Sequence, residues 1–150
     1  MKNIINMLLV IVCMSLVYYA GTNKSSTIVY KDVASQQKEF VENEVDDYKE
    51  AISIARDTNK NILLVFHAKW CVPCQKMDYE VFKNLRFRWK IKQKDFLKTS
   101  VDIDQEKNKD LVIKYNIKTV PYYVVLDKNE NIIKKDQGFK SLKDFLCWLD

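Results

Sequence analysis

Ile62-Leu63-Leu64-Val65-Phe66, followed three residues later by Trp70-Cys71-Val72-Pro73-Cys74, is the stretch that decides the fold. The apolar run is bounded by Asn59-Lys60-Asn61 and has the length of a buried strand. Beyond it, Met77, Val81 and Phe82 recur at helical spacing among Gln75, Lys76, Asp78, Glu80 and Lys83. Two cysteines three positions apart therefore open a helix that directly follows a central strand. Backbone N–H groups at a helix start favour negative charge, which stabilises a thiolate on Cys71 and calls for that sulfur to be open to attack. The pair can close into a disulfide and reopen, Cys71 attacking and Cys74 resolving. Trp70 shields one side of the sulfur and offers a flat apolar contact.

The 150 residues, 47% of them hydrophobic, suffice for one ordinary core and are too few for two comfortable domains. A net charge of +5 permits weak attraction to acidic partners or anionic lipid but does not argue for nucleic-acid binding. Of the four cysteines, Cys13 lies in an apolar N-terminal run and Cys147 near the C-terminus, leaving one close pair and two singletons. That distribution suits a redox site better than a stapled mini-protein.

Residues 1–21 carry one lysine and then an apolar run from Ile4 to Ala20, the form of a signal peptide or a short uncleaved membrane anchor. Tyr18 and Tyr19 occupy places where cleavage wants a small residue. Lipidation of Cys13 is disfavoured by the bulk of Val12. Either remaining reading exports the rest of the chain to the periplasm or cell envelope, where a disulfide persists. Residues 22–38 read as a polar linker with a short strand candidate at Thr27–Tyr30, and residues 39–150 as the folded domain. From Glu39 the pattern is helical, with Tyr48, Ala51, Ile52 and Ala55 on one face and an end near Asn59. Later come a strand at Phe96–Ile103, a short helix at Asp110–Tyr115 and a strand at Tyr122–Leu126. A hairpin turn over 127–131, a return strand at Ile132–Lys134 and a helix at Ser141–Leu149 complete the chain. In that last helix Leu142, Phe145, Leu146 and Leu149 face inward, and Cys147 is expected to be a buried, inert thiol. The order predicts an α/β fold, a central mixed β-sheet flanked by helices.

This order, with W-C-x-x-C opening a helix and Thr119-Val120-Pro121 entering a later strand, resembles the thioredoxin superfamily over residues 45–150. Phe66 to Met77, Glu80-Val81-Phe82 and Gly138-Phe139 are similar to exported thioredoxin-like domains, notably the C-terminal domain of the transmembrane thiol:disulfide interchange proteins. The resemblance implies a cis-proline at Pro121 facing the cysteines, with Val120 offering its backbone to an extended substrate segment. X–Pro is the one bond where cis is cheap, at roughly 0.5–1 kcal/mol. The chain departs from the family at Val65, where thioredoxins carry a buried Asp, and at Ser100, where the accompanying Lys would fall. Asp78, four residues beyond Cys74 on the same helix face, is the candidate substitute proton acceptor for that thiol.

Other uses of these residues are weaker. Zinc uses the same cysteine spacing, but the further donors are only His67, Cys147 and Cys13, so no metal is expected. Gln75 after Cys74 excludes c-type haem attachment, and no cofactor is called for. His67, the single histidine, reads as a packing residue at a strand end. The run Lys83–Lys98 mixes cations with aromatics. It is expected to form a helix with Leu85 and Trp89 inward, a face for anionic lipid being the alternative. The expected function is thiol–disulfide oxidoreduction on protein disulfides outside the cytoplasm. Cys71 and Cys74 are catalytic, while Trp70, Val120 and Pro121 bind substrate. Val72-Pro73 puts no positive charge between the cysteines, which favours a reductant or isomerase with a membrane or soluble thiol electron donor. The competing reading is a thioredoxin-fold binding or assembly module whose cysteines only stabilise it.

Overall fold

The computed structural model describes residues 43–150. The expected N-terminal signal or anchor, Cys13, and the strand candidate at 27–30 lie outside the described residues. The apolar run becomes strand β1 (Asn61–His67), whose Ile62 to Phe66 are all buried. A strand with no polar side on either face must be covered twice, and neighbours and helices supply both covers. β1 pairs in parallel with β2 (Phe96–Asp102) and antiparallel with β3 (Tyr122–Leu126). β4 (Ile132–Gln137) adds antiparallel to β3, giving a mixed four-stranded sheet in the order β2-β1-β3-β4. The hairpin turn between β3 and β4 is organised by Asp127, whose carboxylate accepts the N–H groups of Asn129 and Asn131 at 2.8 and 2.9 Å.

Helix α1 (Tyr48–Thr58) covers one face, laying Ala51, Ile52 and Ala55 on Ile62, Leu64, Phe66, Val124 and Leu126. Asp47 caps its N-terminus by accepting from the Lys49 and Glu50 N–H groups, so among the described residues the helix begins at Tyr48, and the part of the expected pattern over 39–42 lies outside them. Before the cap, Asn43–Val45 run alongside β2: Lys98 N donates to Asn43 O and Val45 N to Lys98 O. The return strand β4 extends to Gln137, past the expected Lys134.

The other face lies under α2 (Val72–Met77), a π-helical turn (Asp78–Phe82), α3 (Leu85–Gln93) and α5 (Leu142–Leu149). Phe82, Phe87 and Phe145 meet there with ring centroids 5.2–5.8 Å apart, above Tyr123. A short α4 (Lys109–Lys114) links β2 to β3.

Two expectations are corrected on this face. The inward residues of α3 are Phe87 and Ile91, not Leu85 and Trp89, which are 64% and 63% exposed. The wide π turn and the extended Asn84 (ψ 135°) interrupt the helix, and α3 restarts in a new phase. Cys147 is exposed rather than buried. Phe145 and Leu149 hold the inward stripe of α5, and a residue two positions from each is turned outward.

Candidate active site

At the end of β1 the chain passes through Ala68-Lys69-Trp70 and enters α2 with Cys71 as its N-cap. Cys71 N donates to Ala68 O at 3.2 Å, and the Gln75 side chain donates to Lys69 O at 2.7 Å, fixing the approach to the helix. The Cys74 N–H donates to Cys71 Sγ at 3.2 Å. A sulfur that accepts a backbone N–H at a helix entry is held where negative charge is favoured. Pro73 lies in the first turn, where a missing N–H costs nothing. Cys71 and Cys74 are joined as a disulfide with Cα atoms 5.2 Å apart.

Around the pair stand Ala68, Ile103 and Val120. The Val120–Pro121 bond is cis, and Pro121 O accepts from Gly138 N at 2.8 Å. Gly138 adopts φ +84°, a left-handed conformation that a side chain disfavours, and Tyr123 donates its hydroxyl to Gly138 O. Trp70 is largely exposed beside the pair. Cys71 itself is not open, as the sequence reading requires of an attacking thiol: in the closed disulfide it is 3% exposed and Cys74 7%.

Beneath Cys74 lies a cavity of about 490 Å³ bordered by Val65, His67, Asp78, Lys98 and Pro121. Asp78 is half exposed and pairs with Lys83 at 2.8 Å. Burial holds the His67 imidazolium down: Asp102 opposes the shift, Lys98 adds to it, and Asp78 opposes it. His67 lies in register with Asp102 across β1 and β2.

Lys98 is a group that the sequence reading missed. It is almost wholly buried, its ammonium donating to Glu44 and, at 2.9 Å, to Ser100 Oγ. A signal for it did exist, since Lys98, Ser100 and Asp102 alternate along β2 and must share one face. Val65 and Ser100, the two departures from the family pattern, face each other in the β1–β2 register. Among the described residues no cluster of His, Cys, Asp or Glu is disposed to hold a metal ion.

A family model described as a thioredoxin-like domain matches residues 48–150. Protein disulfide-isomerase 1 of Dictyostelium discoideum is 28% identical over 100 residues, 65% of this chain and 26% of that protein. Thioredoxin-1 of Drosophila melanogaster is 32% identical over 88 residues, 59% of this chain and 75% of that protein. The thiol:disulfide interchange protein DsbD of Ralstonia nicotianae is 26% identical over 106 residues, 70% of this chain and 17% of that protein. The chain thus spans about a quarter of the isomerase and less of the interchange protein, but most of the thioredoxin. Among solved structures, a thioredoxin from Thermus thermophilus superposes with a TM-score of 0.63 at 22% identity, covering 69% of this chain and 82% of that one.

Proposed function

The chain belongs to the thioredoxin-like family, and from that premise we propose that it is a thiol–disulfide oxidoreductase acting on protein disulfides outside the cytoplasm, as a reductant or isomerase. The observation that carries this reading is the closed Cys71–Cys74 pair at the entry to α2, with the Cys74 N–H aimed at Cys71 Sγ. Reduced, Cys71 attacks one sulfur of a substrate disulfide as thiolate, and the other substrate sulfur leaves as thiolate. Cys74 then gives its proton to Asp78 and attacks Cys71 Sγ. The internal disulfide re-forms and the second substrate sulfur is released. Two electrons have passed to the substrate, so a thiol donor, in the membrane or soluble, must return them. Val120 and Pro121 hold the substrate segment and Trp70 frames it. Residues 1–21 export or anchor the chain, in the periplasm or cell envelope, and residues 22–38 tether the domain of 39–150.

The enclosure of Cys71 favours the second reading, a binding or assembly module whose cysteines only brace the loop. One experiment separates them. Cys74→Ser should accumulate mixed disulfides through Cys71 on non-reducing gels, and Cys71→Ser should abolish disulfide reduction. If reduced Cys71 resists iodoacetamide and Cys74→Ser traps nothing, the enzymatic reading fails and the module reading stands.

A further inference from the structure

Loops ring the disulfide, and their charges do not cancel. Ala68, Ile103 and Val120 pack on Cys71 and Cys74, and Gly138 N donates to Pro121 O, so residues 68–71, 103–104, 118–121 and 138–140 meet there. Lys69 follows Ala68 and borders the cavity shared by Cys74 and Pro121, while Lys118 lies two residues before Val120. Both are exposed, and neither has an ion-pair partner among the described residues. The other lysines near the site are engaged: Lys83 with Asp78, Lys140 with Asp136, and Lys76 with Glu80 at 3.9 Å and the Phe139 ring at 4.5 Å. Asp104, beside Ile103, is exposed and, among the described residues, has no cation against it. Two unpaired cations and one unpaired acid thus surround the cysteines, with Trp70 and Val72 exposed beside them.

We propose that Lys69 and Lys118 select protein disulfides whose cysteines are flanked by acidic residues, an inference that rests on the oxidoreductase reading of Cys71 and Cys74. A segment that brings its sulfur to Cys71 lies over Trp70 and Val120, which sets the residues next to its cysteine beside the two ammonium groups. Each lysine carries its charge on a flexible four-carbon stem, so it reaches a neighbouring residue without disturbing the loop. No ion pair has to be broken first, so a carboxylate there gains the whole attraction, whereas a cationic segment is repelled. Lipid and nucleic acid also carry negative charge, but neither offers a sulfur to the disulfide that these lysines surround. One exposed ion pair changes an equilibrium by up to about fivefold. With two lysines attracting and Asp104 opposing, an acidic flank is favoured over a neutral one by about fivefold, mostly in the rate of encounter.

The test follows the reduced full chain, in neutral detergent, through a single turnover with three disulfide-linked peptides. They carry Asp, Ala or Lys two residues to either side of the cysteine. Each second-order rate constant is divided by that for dithiothreitol, which removes the effect of the flanks on the reactivity of the sulfurs themselves. The expected order is Asp over Ala over Lys, with Asp ahead of Ala about fivefold at low ionic strength and less than twofold at about 0.5 M salt. Lys69→Glu combined with Lys118→Glu should reverse the order, which a purely structural role for the lysines would not do. The salt comparison on the parent decides even where that variant fails to fold. Equal normalised rates on the three peptides overturn the proposal, as does a preference for Asp that survives the salt or the double variant. Reduction of no peptide at all overturns the oxidoreductase reading with it, so the two failures are read apart.

Discussion

Lys98 is almost wholly buried, and Glu44 and Ser100 meet its side-chain nitrogen there. Glu44 is itself half exposed, so it rehydrates when its partner is lost. Lys98→Met keeps the aliphatic volume and removes the charge. Its unfolding free energy in urea should therefore lie within about 1 kcal/mol of the parent, whereas Lys98→Ala, which adds a cavity, should lose about 2–3 kcal/mol. Equal losses in the two variants would mean that the ion pair, and not packing, is what matters. Asp78 makes a different case, because its proposed work is on a proton. With Asp78→Asn, resolution of the mixed disulfide should slow about tenfold or more at pH 7 while its formation by Cys71 is unchanged. Unchanged resolution in stopped-flow assays removes Asp78 from the mechanism.

Among the elements, α3 shows how a helix can have the expected place and the opposite face. Its sequence offers two apolar pairs at helical spacing, Leu85/Trp89 and Phe87/Ile91. Which pair turns inward depends on the phase at which the helix restarts after the π turn and Asn84. The observed phase sets Phe87 against Phe82 and Phe145, so Phe87→Ala should cost about 3–5 kcal/mol. Leu85→Ala, on the exposed side, should stay within about 0.5 kcal/mol. Chemical denaturation of the two variants checks the assignment, and reversed costs would restore the inward Leu85. The same logic applies to α5, where the stripe of Phe145 and Leu149 puts Cys147 in solvent.

Across the molecule, acid should act in two stages. The folded state holds the His67 imidazolium down by burial, while the unfolded chain takes up a proton near the ordinary imidazole value of 6.5. Stability present above that pH is therefore lost as pH falls through the lower folded value. Glu130 follows: hydrogen bonds from Lys114 and Tyr48 hold its carboxyl below the ordinary glutamate value of 4.5, so its contribution disappears as pH drops further. Glu130 also pairs with Arg56 at 2.9 Å, tying the β3–β4 turn to α1 and α4. Thermal melts should show Tm falling below about pH 6.5 and again below about pH 4.5, and Glu130→Gln should flatten the second step. A Tm constant down to pH 3 would contradict both. The order of strands and helices was legible in the sequence, as were the place of Cys71 and Cys74 at a helix entry and the turn at Asp127. Each rests on local rules: hydrophobic period, helix caps and the special geometry of proline. What only the tertiary structure decided is which faces meet. The inward phase of α3, the exposure of Cys147, the burial of Lys98 beside Glu44 and the enclosure of Cys71 all arise between segments distant in the chain. Competition among several apolar surfaces for one core settles them, and no stretch of sequence contains that competition by itself.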